Sequence, residues 1–366
     1  MIKGEVKFVF LKSRDWIEDR EYPMLTLLGQ SLGSLVLAWE ALCHCSPDVF
    51  FDSMGYAFSF PLFKLFRGCR VGCYVHYPTI STDMLDVVRS REASFNNASA
   101  ISRNPVFSLL KLAYYRVFAA VYGFVGSFAD VVLVNSSWTQ GHITSLWGLP
   151  RRTARLYPPC DTEALQILPL ERRESLIVSV AQFRPEKNHP LQLEALSLLF
   201  RHHPEYRDRV RLVLVGSVRN SEDEGRVNTL RVQAQALGLE DAVEFAINAS
   251  FDELRNYLAR GLIGIHTMRN EHFGIGVVEY MAAGLIPLAH NSAGPKMDIV
   301  TLGYLAQTAK EYADSLAIIL QLDPTARQSI QAQVRDIASS RFSEQTFASG
   351  FIHAIEGALI PHAKQD

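Results

Sequence analysis

Two glutamates, Glu271 and Glu279, flank a part of the sequence that can bind an anion. A polar loop with Glu271 follows an apolar run, Gly274 permits a tight turn, and a helix is predicted over 275–283 with Glu279 inside it. Since a helix start offers free N–H groups and a partial positive charge, a diphosphate fits there. The two carboxylates would repel a nucleotide unless each met a hydroxyl group. They therefore suit a ligand whose diphosphate lies between two sugars.

The same two glutamates also allow simpler interpretations. Glu279 can be a solvated helix residue and Glu271 a loop charge, or the two acids can hydrolyse a glycosidic bond together. The glycines at the helix start and the strand–loop–helix setting favour binding of a donor substrate instead. The sequence thus predicts a donor site formed by Phe273, Gly274, Ile275 and Glu279, with Glu271 as a catalytic candidate.

A second group of polar residues follows the apolar run Leu176–Ala181, in the segment that contains Arg184 and Lys187. Loops that leave the carboxyl ends of parallel strands bind ligands in α/β folds. Both cations could there neutralise a diphosphate as it becomes a leaving group. The alternative is that Arg184 and Lys187 are ordinary surface charges.

In the first half of the chain, His76 ends another apolar run, and Pro78 fixes the turn that follows. A histidine at this position could hydrogen-bond a transferred sugar or its acceptor. It could equally be a core residue whose hydrogen bonds are satisfied inside the protein.

Short β-rich runs alternate with helical patterns along the chain, which predicts parallel sheets wrapped by helices. The predicted strands are Val6–Leu11, Val49–Asp52, Val71–His76, Val131–Asn135, Leu176–Ala181, Leu212–Val215, Val243–Phe245, Leu262–His266 and Ile286–Ala289. The proline-containing stretch Tyr157–Arg173 separates two sets of strands and is predicted to be the linker. We therefore expect Rossmann-like domains over residues 1–165 and 166–341, followed by a C-terminal helix over 342–366.

Two long apolar stretches are predicted to be helices. Tyr22–Trp39 carries bulky residues at helical spacing, so we expect an amphipathic helix whose buried face contains Leu28, Leu32, Leu35, Trp39 and Leu42. Val106–Phe128 is apolar on all sides and rich in aromatic residues. It is either a buried core helix or a helix that dips into a membrane interface.

The composition is that of a globular protein. With 366 residues, 48% hydrophobic and 20% charged, the chain is long enough for two cores. A formal charge of −2 argues against a general nucleic-acid binder, so no nucleic-acid partner is expected. The five cysteines show no paired metal-ligand spacing and are interpreted as reduced thiols.

Together these motifs resemble glycosyltransferase family 4, and the resemblance covers nearly the whole chain. Three longer strings are most similar to family members that add α-1,2-mannose to a dolichol-linked oligosaccharide. They are HYPTISTDML at 76–85, FRPEKNHP at 183–190 and NEHFGIGVVE at 270–279. The resemblance implies a GT-B fold with two Rossmann-like domains facing across a cleft. Because the first half lacks the family's first strand and Gly-rich loop, and no membrane anchor precedes Val6, a shortened N-terminal domain is expected.

The resemblance also implies the reaction and its partners. It is a retaining transfer of mannose from GDP-mannose to dolichol-diphosphate-linked Man3GlcNAc2, giving Man5GlcNAc2, without a metal or other cofactor. Its setting is the cytoplasmic face of the endoplasmic reticulum membrane. There, Val106–Phe128 would contact the membrane surface, and other mannosyltransferases of the pathway are candidate partners.

Residue roles follow from the same resemblance. Glu271 would contact the transferred mannose, His76 would lie beside it, and Glu279 would bind the ribose. Arg184 and Lys187 would bind the diphosphate, so the candidate catalytic residues are Glu271, His76 and Lys187. Two alternatives stay open: another nucleotide-sugar-dependent transferase of the family, or a truncated, catalytically silent binding form.

Overall fold

The computed structural model describes residues 6–22, 25–81, 84, 105–356 and 359. These residues form two compact units. The first unit contains the described parts of residues 1–135, 139–156 and 351–366, and the second contains residues 136–138 and 157–350. The chain enters the main part of the second unit at Tyr157, where the predicted linker begins. The predicted boundary after residue 165 falls inside a short helix, Thr162–Gln166.

The first unit is built on a parallel sheet with the strand order β1-β2-β3-β4. Its strands are β1 (Val49–Asp52), β2 (Arg70–Val75), β3 (Val131–Val134) and β4 (Thr153–Arg155). The helices that pack with it are α1 (Thr26–His44), α2 (Phe60–Arg67), α3 (Pro105–Gly126) and α4 (Ser137–Trp147), of which α4 begins in the second unit. β2 and β3 are almost entirely buried, as expected for central parallel strands covered on both faces.

Helix α1 turns its small side chains towards the protein and its bulky ones outwards. A Cβ atom added at Gly33 would lie 1.8 Å from the backbone oxygen of Trp16, so this close approach requires glycine. Ser31, Ser34 and Ala38 are buried near it, whereas Leu32 and Trp39 are each 54% exposed. The predicted buried face is therefore wrong for Leu28, Leu32 and Trp39, and of that set only Leu42 is fully buried.

Helix α3 has one buried face and one exposed apolar face. Tyr115, Phe118 and Tyr122 are buried in the core of the first unit. Val117, Val121 and Phe124 on its other side are exposed. The core interpretation therefore describes one face of this helix, and an apolar surface lies on the other.

The second unit is built on a six-stranded parallel sheet with the order β10-β9-β8-β5-β6-β7. Its strands are β5 (Leu176–Val180), β6 (Arg211–Gly216), β7 (Val243–Ile247), β8 (Ile263–Ile265), β9 (Ile286–His290) and β10 (Tyr304–Ala306). Its helices are α5 (Thr162–Gln166), α6 (His189–His202), α7 (Ser221–Ala236), α8 (Phe251–Arg260), α9 (Ile275–Ala282), α10 (Ala309–Gln321), α11 (Pro324–Phe342) and α12 (Glu344–Glu356), of which α12 ends in the first unit. Alternate strand residues enter separate cores on the two faces: Leu176 and Val178 one, Ile177 the other.

The strand order of this second sheet reverses between β5 and β8. The chain moves outwards from β5 through β6 to β7, then returns to the other side of β5 and continues through β8 and β9 to β10. Loops that leave two such neighbouring strands diverge and open a crevice at the carboxyl edge. The segments that carry Lys187 and Glu271 both leave the sheet at this point.

Most of the predicted strands are present within one or two residues of their predicted bounds. The prediction for Val6–Leu11 is wrong, because residues 6–11 pair with no strand in the described structure and are followed by a 3₁₀ helix, Lys12–Ile17. A strand-like side-chain pattern is not sufficient without a partner strand. β4 and β10 were missed because each is a three-residue edge strand with only one buried residue, unlike β8, whose three residues are all buried.

Candidate donor-binding site

A cavity of about 460 Å³ opens at the crevice between β5 and β8. This volume lies within the range of small-molecule sites. All of the residues that line the cavity belong to the second unit. They are Val180, Ala181, Gln182, Lys187, Val215, Gly216, Ser217, Asn248, Ala249, Leu254, His266, Glu271, Ile275, Gly276 and Glu279.

Glu271 is held by two basic side chains on one side of the cavity. Its Oε2 atom lies 2.7 Å from Nζ of Lys187 and 3.2 Å from Nε2 of His266. The Glu271 side chain is only 15% exposed, so this group of charges is largely desolvated. In the described residues no hydrogen bond or ion pair is found to Oε1, the second oxygen of this carboxylate.

The surroundings of Glu271 keep it ionised. Burial alone would raise the pKa of its carboxyl group, but the hydrogen bond and charge of His266 and the charge of Lys187 outweigh burial. The result is a pKa lowered to about 2. Glu271 is therefore a carboxylate that can only accept hydrogen bonds.

Glu279 lies on α9, on the other side of the same cavity, and its environment is different. Among the described residues it has no hydrogen-bond or ion-pair partner, and burial raises its pKa. An acceptor that is desolvated and unpaired in the free protein gains most when a ligand brings hydroxyl donors to it. The geometry thus favours a hydroxyl-rich group of the ligand beside Glu279.

The start of α9 lies between these two glutamates. Gly274 precedes the helix with φ +106°, a left-handed conformation that favours glycine. Ile275 and Gly276 follow, and the N–H groups at a helix start have no partner in the helix's own ladder. Phe273 does not line the cavity and is buried against Tyr157 and other core residues. Phe273 was predicted to bind the donor, but in the structure it packs beneath the turn at Gly274.

Backbone contacts fix the loop that carries Glu271. The backbone N–H of Gly294 donates to the backbone oxygen of Glu271 at 2.9 Å. A Cβ atom at Gly294 would come within 2.3 Å of the Phe273 oxygen, so no larger residue fits without displacing the loop. The hydroxyl of Tyr280 accepts a hydrogen bond from the N–H of Val180 at 2.6 Å, which ties α9 to the end of β5.

A buried polar cluster holds the Lys187 segment against the end of β8. Lys187 ends a short 3₁₀ helix, and Asn188 adopts a left-handed conformation with φ +51°. The hydroxyl of Thr267 donates to the backbone oxygen of Lys187 at 2.8 Å and accepts from Nε2 of Gln192 at 2.9 Å. Since Thr267 directly follows His266, one stretch of chain positions both partners of Glu271.

Two predicted residues are not among those that line this cavity. Arg184 lines a different cavity of about 310 Å³ in the second unit, together with Phe183, His189 and Arg226, and it forms a 3.8 Å ion pair with Glu186. His76 belongs to the first unit, where its ring packs edge-on against Tyr74 at 4.7 Å and the residue is exposed.

His76 is influenced by its neighbours in the first unit. Burial lowers its pKa, while a hydrogen bond to the backbone of Ser53 and the charge of Asp52 act in the opposite direction. In the string that begins at His76, residues 82, 83 and 85 lie outside the described part of the chain.

Sequence reasoning missed several residues of the cavity. His266 was seen only as the end of a strand, and Ser217 and Asn248 were not considered as ligand-binding residues. Ser217 follows β6, which neighbours β5, and Asn248 follows β7, the next strand of the sheet. A search of the carboxyl ends of the strands near the switch point could have found both residues once the strand order was known. Gly216 also lines the cavity, and a Cβ atom there would lie 2.1 Å from the oxygen of Ala181.

Two units built on parallel sheets, with a cavity at the carboxyl edge of the second sheet that contains a lysine and a helix start, are the architecture of a GT-B glycosyltransferase. Structural comparison supports this fold. Anabaena Alr3699/HepE, solved in complex with UDP and glucose, is 19% identical with a TM-score of 0.64, and the match covers 89% of this chain and 83% of HepE.

Sequence comparison gives the particular family. Residues 1–147 match the family described as ALG11 mannosyltransferase N-terminus, and residues 161–335 match Glycosyl transferases group 1. The Homo sapiens GDP-Man:Man(3)GlcNAc(2)-PP-Dol alpha-1,2-mannosyltransferase is 54% identical over 96% of this chain and 73% of the human protein. The Xenopus laevis protein of the same name is 52% identical over 96% of this chain and 74% of its own length. The chain belongs to this family of alpha-1,2-mannosyltransferases.

Proposed function

We propose that this chain transfers mannose from GDP-mannose, in α-1,2 linkage and with retention, to dolichol-diphosphate-linked Man3GlcNAc2, extending it to Man5GlcNAc2. The observation that carries the proposal is the single cavity that contains Lys187, Glu271, the start of α9 and Glu279. Relatives at 52–54% identity are named for GDP-mannose and this acceptor. In this proposal the diphosphate lies near Lys187 and the helix start, the mannose near Glu271 and the ribose near Glu279.

The proposed reaction breaks the bond between the mannose C1 atom and the β-phosphate oxygen. A new bond forms from C1 to an acceptor hydroxyl on the same face of the sugar, and the hydroxyl proton passes to the departing diphosphate. Lys187 and the N–H groups of Ile275 and Gly276 would stabilise the negative charge that develops there. Glu271 would position the mannose, since a carboxylate with a pKa of about 2 is a poor proton acceptor near neutral pH.

The proposal includes transfer without a metal ion. Lys187 and the start of α9 provide positive charge on the side of the cavity where the diphosphate would lie. Turnover should therefore persist in EDTA. A loss of turnover in EDTA that magnesium or manganese restores would contradict this part of the proposal.

The test of the whole proposal is product analysis. The purified chain, GDP-mannose and a lipid-diphosphate-linked Man3GlcNAc2 should yield products with one and two added mannoses, both sensitive to an α-1,2-mannosidase. UDP-glucose in place of GDP-mannose provides the matched donor control. Preferential use of UDP-glucose would indicate a different transferase of the family. GDP-mannose binding without transfer would indicate a silent binding form.

We also propose that the first unit contacts the surface of the endoplasmic reticulum membrane from the cytoplasmic side. Two helices, Thr26–His44 and Ser108–Gly126, have the length and hydropathy of candidate membrane spans, although part of each is buried in the protein. Val117, Val121 and Phe124 lie exposed on the second of these. A membrane contact would suit an acceptor with a dolichol tail, because moving such a tail into water costs about 0.8 kcal/mol per CH₂ group.

The exposed face of α3 gives a sharper membrane test than its buried aromatic residues. Replacing Val117, Val121 and Phe124 with serine should release the protein from liposomes while GDP affinity is retained, since all three residues are exposed and belong to the first unit. Val232→Ser is the matched control, because Val232 is equally exposed but lies on α7 of the second unit. Equal liposome binding by the triple variant and the parent would contradict the α3 contact.

A further inference from the structure

We propose that His266 is a positioning residue: it holds Glu271 in place when Lys187 turns from Glu271 to the donor's diphosphate. No role was predicted for His266 from the sequence. The inference rests on the proposed function, because Lys187 would leave Glu271 only to bind a diphosphate ligand. In this inference His266 orients Glu271 and does not itself bind the nucleotide.

Both basic side chains contact the same oxygen of Glu271. Oε2 accepts from Lys187 and from His266, and Oε1 is left for a ligand. Lys187 is also the cation of this cavity that we assign to the diphosphate, so the free protein uses it for a different contact from the one proposed in the complex. If Lys187 were the only partner of Glu271, its departure would leave a largely buried carboxylate unpaired, which is strongly unfavourable.

Burial and backbone hydrogen bonds hold His266 in place. It is 7% exposed, its backbone N–H donates to Leu288 at 2.9 Å, and its backbone oxygen accepts from the buried hydroxyl of Tyr312 at 2.8 Å. Lys187, in contrast, has a flexible stem and three donor hydrogens. Lys187 can therefore move to the ligand, whereas His266 stays beside Glu271.

The contact also fixes the tautomer of His266. Since Glu271 can only accept, Nε2 must carry the proton of this hydrogen bond. The other ring nitrogen, Nδ1, is buried and has no partner among the described residues. A ring with a proton on Nε2 can donate this bond to Glu271, whereas a ring with its proton on Nδ1 alone would lose it.

Three variants test this role. His266→Leu removes the donor, and His266→Gln offers an amide N–H near the position of Nε2. His290→Leu is the control, because His290 ends the neighbouring strand with the same 7% exposure and contacts Ser292 rather than Glu271. We expect His266→Leu to lower kcat about 10- to 100-fold, as for a misplaced reacting group, with little change in GDP affinity. His266→Gln should recover most of the loss, and His290→Leu should retain most of the turnover.

Further outcomes separate positioning from a structural role. Glu271→Ala combined with His266→Leu should be no slower than Glu271→Ala alone, because both changes remove the same positioned carboxylate. Unchanged kcat in His266→Leu would overturn the proposal. So would an equal loss of GDP and GDP-mannose affinity that His266→Gln does not correct.

A measurement on the free protein distinguishes failure of this inference from failure of the proposed function. Nitrogen chemical shifts of the His266 ring should report a proton on Nε2, and Glu271→Ala should change them. If no nucleotide sugar supports turnover but these shifts are as expected, the proposed function fails and the contact that fixes Glu271 stands. A proton on Nδ1 alone would overturn the inference whatever the activity.

Discussion

Each side of the cavity carries a glutamate, but the surroundings shift the pKa values of the two carboxyl groups in opposite directions. On the loop side, Glu271 is paired with Lys187 and His266, and its pKa is lowered to about 2. On the helix side, Glu279 has no such partner in the described structure, and burial raises its pKa. The loop side is therefore organised before a ligand arrives, whereas the helix side gains its hydrogen bonds from the ligand. Two glutamates in one motif thus need not do similar work.

The largest effect on turnover should come from replacing Lys187 on the loop side. Lys187→Met should lower kcat by about 10²–10³-fold, because a positioned charge for the leaving diphosphate is lost. Steady-state kinetics with GDP-mannose would measure the change. Lys310→Met is the control, because its ion pair with Asp314 is largely exposed and should contribute little. A Lys187→Met protein with parental kcat would remove Lys187 from the site.

The low pKa of Glu271 should appear in the pH dependence of stability. A carboxyl group whose pKa falls from 4.5 to about 2 on folding contributes about 3 kcal/mol above pH 4.5. This contribution is lost as the pH falls through that window towards 2. Urea unfolding of the parent and of Glu271→Gln should therefore converge as the pH is lowered below 4.5.

A control is available for that pH measurement. Glu222→Gln changes a glutamate whose side chain is 78% exposed and paired with Arg226 on the surface of α7. It should show little pH-dependent difference from the parent. A constant difference between the parent and Glu271→Gln across the same window would show that the pairing of Glu271 does not control its ionisation.

Replacing Glu279 on the helix side should mainly change the affinity for GDP. Glu279→Gln should weaken GDP binding by about 1.5–3 kcal/mol, the value of a hydrogen bond to a charged group. Isothermal titration calorimetry with GDP would measure it. GDP lacks the mannose, so Glu271→Gln should affect GDP binding less than Glu279→Gln does. The reverse order would exchange the roles assigned to the two glutamates.

The smallest effect concerns the stability of the free protein. The folded-state pKa of Glu279 lies above its ordinary value of 4.5. Its contribution is therefore fully present below pH 4.5 and is lost as the pH rises through the raised value. Glu279→Gln should remove this loss, so that the variant is the more stable protein at neutral pH without ligand. Thermal unfolding from pH 4 to 8 would measure the difference, and a less stable variant at neutral pH would contradict it.

Much of the architecture was predictable because buried parallel strands are short apolar runs. Val131–Val134 and Leu176–Val180 are examples, and both were found almost to the residue. The packed face of α1 was not predictable in this way, because Gly33 and its small neighbours permit a close approach that periodicity of bulky residues does not reveal. For Val6–Leu11 the side-chain pattern is present, but no strand of the described residues pairs with it.

The candidate site shows a similar limit. The motif brought Glu271, Glu279 and the helix start to one cavity, because residues close in sequence on a loop and the following helix must lie close in space. It could not separate Lys187 from Arg184, since the 3₁₀ turn at Pro185–Lys187 directs these two neighbours into different cavities. It also could not select His266, whose importance comes from a contact and not from its spacing.

Gly294 illustrates a different kind of dependence on sequence. It does not line the cavity, yet its N–H holds Glu271 and its missing side chain leaves room for the backbone at Phe273. In a saturation-mutagenesis screen scored by growth, this position should be as depleted of variants as Lys187. A map drawn from such depletion alone would add Gly294 to the ligand contacts. Intolerance to replacement measures how closely the chain is packed as well as what it binds.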